Sequence, residues 1–276
     1  MKIGLLNAGA GSWVFDALAK NLSSALWIEI VREPAERNYV LGWEGAHEAL
    51  KARSFVPVDA IHVASDKRLI AQAFLNAKVP APRTVLCETT AELEAVLKSA
   101  SHRWALKYPT GSGASGHRML ASAKDLPVNW PTPYVVQEFI ELARPEVYRL
   151  YGVAGELFGF NARRFADGKP SSPWVAHARG ARYVHNLEVS DAAREVAKQA
   201  LRATGLWNSM GCVDLLQRST GEWLALEVGT DGICNHIDRE VENPELSRAW
   251  DQKVAEAFWK WVGQVPPWGT SWQYRE

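Results

Sequence analysis

The ten residues Lys107-Tyr108-Pro109-Thr110-Gly111-Ser112-Gly113-Ala114-Ser115-Gly116 combine the residue types that phosphate binding needs. A lysine at the end of an apolar run holds positive charge at a fixed place. Three glycines let backbone N–H groups approach a phosphate with no Cβ between them. Ser112 and Ser115 add hydroxyl donors. The loop is not a Walker A motif, because no Gly-Lys-Ser/Thr closes it. By itself it reads equally as a phosphate cradle or as a flexible hairpin tip.

Two further constellations carry oxygen chemistry. Val135-Val136-Gln137-Glu138-Phe139-Ile140-Glu141 is an apolar run ending in acids, able to offer backbone groups to an adenine edge and a carboxylate to ribose hydroxyls. Asp214 and Glu227 each interrupt an apolar run, in Cys212–Leu216 and Trp223–Val228. Paired across a hairpin, two such carboxylates suit Mg²⁺ bridging phosphates. The alternative is an acid neutralised by a neighbouring arginine, since a buried carboxylate requires a cation of some kind.

The elements that must position these groups follow from hydrophobic pattern and turn chemistry. Residues 2–7 predict a strand, 13–22 a helix, 25–31 a second strand, 44–50 a helix and 59–64 a third strand, together a small α/β lobe. Gly9 and Gly11 begin a dinucleotide-like G-x-G, with Glu33 near the usual acidic offset, but Val14 stands where the third glycine belongs, so the turn reads as structural. Ser65 is the expected cap of a helix over 68–77, which Pro80 and Pro82 stop. A helix is expected over 90–99, strands over 104–108, 117–120 and 134–140, and a hairpin of 146–153 with 156–164. Residues 191–204 read as an amphipathic helix, 210–217 and 223–228 as a second hairpin, and 245–261 as the last helix. Residues 167–185 read as a long loop carrying His177, Arg179, Arg182 and His185, and a long loop in a compact body is often functional.

Composition limits the function classes. Acidic and basic residues balance at 31 each, which argues against bulk nucleic-acid binding. Apolar residues at 47% supply a real core, and no stretch predicts a membrane span or a secretory leader. Cys87, Cys212 and Cys234 lack C-x-x-C spacing and read as reduced, buried thiols of a cytoplasmic protein. Cys234 and His236 have no second pair to complete a zinc site. Most of the 13 tryptophans, four of them near the end, read as packing anchors.

Taken in order, these elements resemble the ATP-grasp superfamily of carboxylate–amine (or thiol) ligases. The likeness is greatest to the branch of amino-acid ligases that includes the ribosomal-protein glutamate ligases. The resemblance runs from Ser65-Asp66-Lys67 to about Asn235. It implies an α/β fold of α+β lobes: an N-terminal lobe 1–64, a small lobe with the glycine loop 65–133, a lobe with the metal site 134–265, and a tail 266–276. It also implies ATP and Mg²⁺, with Mn²⁺ as a substitute. Lys67 and Lys107 would contact phosphates, and Gly111, Ser112, Gly113, Ala114, Ser115 and Gly116 would close over them. Gln137, Glu138, Phe139 and Ile140 would meet adenine, with Glu138 and Phe139 acting through their backbone, and Glu141 or Glu146 would lie near the ribose. Arg149, in Glu146-Val147-Tyr148-Arg149, and the strand-ending Arg163 and Arg164 would face the acyl-phosphate. Asp214 and Glu227 match the metal carboxylates. The family's usual Asn two residues after that Glu is replaced here by Gly229, leaving Asp231 or Asn235 to complete the metal site. Arg179, Arg182 and His185 read as grips for a substrate carboxylate or as a solvated basic loop.

The activity implied is an ADP-forming C–N ligation through an acyl-phosphate. Its partners would be small-molecule or peptide carboxylates and amines, with no nucleic acid or membrane, and homo-oligomerisation stays open. A kinase acting on a hydroxyl and a nucleotide-binding regulator without turnover are the rival readings, the latter motivated by Gly229.

Overall fold

The computed structural model describes residues 1–9, 11, 13–42, 50, 53–99, 103–111, 113–166, 170–184, 188–230 and 245–275. Most of the helix expected over 44–50, together with Ser112, His185, Asp231, Cys234, Asn235 and His236, lies outside the described residues. Three sheets organise the chain: a parallel one in the order β2-β1-β3, an antiparallel one in the order β4-β7-β5-β6, and an antiparallel one in the order β10-β9-β8-β11-β12.

The first sheet comprises β1 (Ile3–Asn7), β2 (Glu29–Val31) and β3 (Arg37–Leu41), with α1 (Trp13–Leu26) packed on β1 and β2. The expected second strand loses its first half to α1, which runs on through the fully buried Ala25 and Leu26 and stops where Trp27 turns left-handed at φ 57°. The strand expected over 59–64 is instead a helix, α2 (Val58–Ser65), entered through Pro57. A short apolar run does not reveal its period, and here Val58 and Ile61, three residues apart, are both buried. The lobe's third strand is β3, in a segment whose polar composition hid it.

Helix α3 (Lys67–Ala77) is capped by Asp66, whose carboxylate accepts from the Arg68 N–H at 2.8 Å. Ser65, the expected cap, instead donates its hydroxyl to the His62 carbonyl at 2.8 Å. The second sheet holds β4 (Thr84–Cys87), β5 (Trp104–Lys107), β6 (Arg118–Leu120) and β7 (Tyr134–Glu138), with α4 (Thr90–Lys98) against β4. It has its own core around Leu93, Trp104, Leu106 and Val136.

The third sheet is built from two hairpins and an edge. β8 (Glu146–Val153) pairs with β9 (Glu156–Arg164), and β11 (Met210–Gln217) with β12 (Trp223–Gly229). β10 (Arg182–Val184) and a 3₁₀ turn at His177–Arg179 replace part of the long loop expected over 167–185. Helix α5 (Asp191–Ala203), capped by Ser190, packs on β8, β11 and β12. The close approach needs glycine: a Cβ on Gly211 would stand 2.9 Å from both Leu201 and Leu206.

Helix α6 (Glu245–Val262) lies against α1 and is tied to it by polar bonds through the tail. Trp259 donates to the Leu26 carbonyl at 2.7 Å, Trp272 to the Ala25 carbonyl at 3.0 Å, and Asp251 accepts from Asn21 and Tyr274 at 2.7 and 2.8 Å. Trp259 and Trp272 are therefore packing anchors with their N–H groups satisfied. Cys87 and Cys212 are buried free thiols, as expected. No described helix is long and apolar enough to cross a membrane.

The α5 contact is testable. Gly211→Ala should lower stability by about 1–3 kcal/mol through overpacking against Leu201 and Leu206, read as a reduced denaturation midpoint in urea with an unchanged slope.

Candidate functional site

Four polar side chains form one row across the third sheet. Asn161 on β9 opposes Arg149 on β8, Arg149 opposes Asp214 on β11, and Asp214 opposes Glu227 on β12. Directly paired residues share a face, so all four project to the same side. The last pairing depends on a β-bulge. Gln217, Leu216 and Leu215 pair with Trp223, Leu224 and Ala225, and then the register shifts so that Asp214 meets Glu227 rather than Leu226. Without the extra residue Glu227 would fall on the opposite face.

Asp214 is 1% exposed and fully bonded. Arg149 donates through Nε at 2.6 Å and Nη2 at 3.1 Å, and Arg163, one step along β9, donates through Nη2. Burial alone would raise the carboxyl's pKa. The two guanidiniums outweigh it and hold Asp214 far below the usual carboxylate range. The same pairing keeps both arginines charged despite burial. Glu227 forms no ion pair among the described residues, which leaves its carboxylate for another cation. Arg149, Arg163, Asp214 and Glu227 line a cavity of about 500 Å³, together with Phe15, Gly42 and Ile61 from the N-terminal part of the chain.

Two lysines come in from elsewhere: Lys67 lines the same cavity, and Lys107 lines the adjoining cleft, which Arg163 and Glu227 also border. Lys67, at the start of α3, donates Nζ to the Gly111 carbonyl at 2.8 Å, and its N–H donates to the Pro109 carbonyl at 2.8 Å, so α3 and the glycine loop are stitched together. Lys107 ends β5 and is 5% exposed. Burial drives its pKa down to about 8, Lys67 adds to the fall, and Glu227 and Asp214 oppose it. The loop between the lysines turns through the left-handed region at Gly111, Gly113, Ala114 and Gly116, with φ of 90°, 66°, 58° and 71°. Only glycine adopts such a run at low cost. Ala114 does so under strain, and its carbonyl faces Arg179 at 3.5 Å. Ser115 sits exposed on this loop.

Beside the lysines a flatter cleft runs between the second and third sheets. Its walls include Ile140, Leu142, Leu226, Trp174 and His117. Trp174 stands edge-on to His117 and to Phe139, at 5.3 and 5.4 Å between centroids, and Arg103 lies 4.8 Å over the Phe139 ring. Burial, then Lys107, Lys67 and Arg179, push His117 down to about 3, so it is neutral at physiological pH. An apolar, aromatic slot next to a cationic phosphate cradle has the chemistry to take a nucleotide.

Several expected roles need correction. Glu138 and Phe139 border the cleft, but their N–H groups already donate to the Arg83 and Arg103 carbonyls at 2.8 Å, so neither N–H is free for an adenine edge. The Glu138 carboxylate is bonded to Arg218 at 2.7 and 3.0 Å, and the Gln137 amide donates to Thr84 at 2.9 Å. Glu141 is exposed and does not line the cleft. Glu146 and Arg164 pair with each other at 3.1 Å on the opposite face of the sheet from Arg149 and Arg163, because each is an odd number of positions away. That face is turned away from the cavity that Arg149, Arg163, Asp214 and Glu227 line. Arg182, in register with Arg164, is on that same far face. Its neighbour Tyr183 lines the cavity instead, along with His177. Asn161, Tyr183, His117 and Trp174 were missed. Of these only Asn161 carried a signal, as a lone amide two residues before Arg163 in a strand-like run.

A metal ion, if bound, has Glu227 as its free oxygen donor. Asp214 adjoins it, but both of its oxygens already accept from guanidiniums. No cluster of three or more His, Cys, Asp or Glu side chains suited to a metal occurs among the described residues.

The ATP-grasp domain family matches residues 64–229, more than half of the chain. The chain belongs to the ATP-grasp family. No curated protein sequence matches it. Among solved structures, the D-cycloserine synthetase DcsG aligns with a TM-score of 0.66 at 17% identity over 94% of this chain and 99% of that one. The ATP-grasp ligase PsnB, complexed with minimal precursor, Mg and ADP, aligns at 0.63 and 14% over 95% and 98%. A RimK domain ATP-grasp protein from Sphaerobacter thermophilus aligns at 0.63 and 14% over 93% and 99%. At such identities the likeness establishes the shared fold.

Two outcomes follow from the site's electrostatics. Asp214→Asn leaves two buried guanidiniums uncompensated and should cost about 3–5 kcal/mol of stability, measured by chemical denaturation. Lys107 must be protonated to hold a phosphate, and burial makes it lose its proton as pH rises through about 8. The affinity for ADP, measured by calorimetry, should therefore be level below that pH and fall above it, with proton uptake on binding. A flat profile to pH 10 (roughly the unperturbed lysine range) would count against this lysine.

Proposed function

We propose that this chain is an ATP-dependent carboxylate–amine ligase that works through an acyl-phosphate. One observation carries the reading: Lys67 and a left-handed glycine loop share one cavity with the Arg149–Asp214–Glu227 row, and Lys107 lines the aromatic cleft that adjoins it at Glu227. The family membership, and the Mg and ADP of the PsnB complex, support it.

On this reading each residue has a task. The aromatic cleft takes the purine, while Lys67, Lys107 and the loop N–H groups hold the phosphates. Arg149 and Arg163, pinned by Asp214, keep donors directed at the cavity for a substrate carboxylate and for charge that develops as the γ-phosphate transfers to it. The bond from the β-bridging oxygen to the γ-phosphorus breaks, ADP leaves, and the carboxylate oxygen gains the phosphoryl group. An amine then adds to the activated carbonyl and displaces phosphate, with no protein nucleophile. Mg²⁺ held through Glu227, with Mn²⁺ as a substitute, would neutralise phosphate charge during transfer. Because Asp214 and Arg149 fix one another, the cationic grip is formed before the substrate arrives, which limits reorganisation during the reaction.

The test is substrate-dependent ADP release. With a panel of amino acids and peptides, ADP and phosphate should form only when an acid and an amine are both present. Hydroxylamine should intercept the acyl-phosphate as a hydroxamate. Glu227→Ala and Lys107→Ala should each reduce turnover by about 10²-fold or more, with circular dichroism unchanged. Release of ADP with an alcohol and no amine would instead mark a kinase, and tight ADP binding without turnover on any panel a regulator.

A further inference from the structure

The sheet face turned away from the catalytic row carries a second polar row. Glu146, Arg164 and Arg182 oppose one another across β8, β9 and β10. With Arg144 and Phe165 they line a groove of about 450 Å³. The one carboxylate among the described lining residues is already bonded, since Glu146 pairs with Arg164 at 3.1 Å and accepts the Tyr148 hydroxyl at 2.5 Å. Arg144 and Arg182 are exposed and form no ion pair among the described residues. A concave surface with surplus guanidinium charge recognises carboxylates or phosphates.

What selects between these is the edge strand. β10 ends the sheet, and among the described residues no strand pairs with its outer side. Its side chains alternate between faces: Arg182 and Val184 line the groove, and Tyr183 lines the catalytic cavity. An extended chain added along that edge would likewise alternate, presenting one set of side chains to the cavity and the next to the arginines. A free amino acid or an inorganic anion is too short to use both faces.

We propose that this groove is an exosite for an acidic peptide, which adds to the edge of β10 with carboxylate side chains among Arg144, Arg164 and Arg182. A reactive residue then stands an odd number of positions from each such carboxylate. Only the identity of that reactive residue rests on the ligase reading; binding in the groove does not.

The experiment uses a fluorescein-labelled hexaglutamate peptide and fluorescence anisotropy on the full chain. Wild type should bind it, less tightly as salt rises, and the Arg144→Glu, Arg182→Glu double variant should bind about tenfold more weakly or worse. Hexaglutamine should not compete, millimolar inorganic phosphate should leave the peptide bound, and ADP affinity of the variant should equal that of wild type. Equal peptide affinity in variant and wild type would overturn the proposal. So would displacement by phosphate at the concentration of free glutamate that displaces it, which marks a small-anion site. Glu227→Ala should abolish turnover without changing peptide affinity, so the exosite and the ligase reading fail separately.

Discussion

Asp214, buried between Arg149 and Arg163, fixes the geometry of everything around it. A buried ion pair seldom stabilises a fold more than well-packed apolar groups of the same volume would. Its use here is positional. It ties β8, β9 and β11 together at one level and holds two guanidiniums in a single orientation, with the Arg163 Nε buried and unpartnered behind them. Asn161, fully buried with both amide atoms unpartnered, continues that row. Unsatisfied buried donors are costly, and two of them, the Asn161 amide and the Arg163 Nε, belong to this row. The polar row is thus poised for charge that the protein itself does not supply.

The same row shows what a sequence reveals and what it conceals. The hairpins of β8 with β9 and of β11 with β12 were legible because apolar runs flank turn residues at Ala154-Gly155 and 219–222. That Asp214 and Glu227 share a face was legible only as a conjecture about pairing. Plain alternation from the turn pairs Asp214 with Leu226, and the bulge that corrects this leaves no mark in residue type. Period-2 geometry is equally unforgiving on β9 and β10. Arg163 and Arg164 are interchangeable in composition, yet one joins Asp214 and the other Glu146 on the far face. The expectation for Arg182 failed by the same single-residue step that places Tyr183 in the cavity. The error over 59–64 is of another kind: eight helical residues are too few for an apolar run to declare its period.

The glycine loop was legible in its residue types but not in its path. Residue types alone left open whether Lys107–Gly116 is a structured device or a loose tip. The structure shows four successive departures into the left-handed region and a bond from Lys67 to Gly111, which give the loop a defined path. Lys67 was expected to reach phosphates directly. Its Nζ donates to a carbonyl of the loop beside it, so a phosphate must compete with that carbonyl or share the ammonium, which carries three donors.

The two lysines also stand on different cores. Lys67 begins α3, whose Ile70 and Phe74 belong to the large core shared with β8, β11 and α6. Lys107 ends β5, whose Trp104 and Leu106 belong to the separate small core of the second sheet. Few polar bonds bridge the two, the strongest being Glu138 with Arg218. A polyphosphate gripped by both lysines therefore joins two independently packed bodies, and its binding free energy is spread over their relative position as well as over local contacts. Lys107 sharpens this coupling, because burial has already weakened its hold on a proton. On the ligase reading, the anion that restores the proton's affinity is the same anion that is held beside Arg163 and Glu227, so protonation of Lys107 and phosphate binding next to that row are coupled.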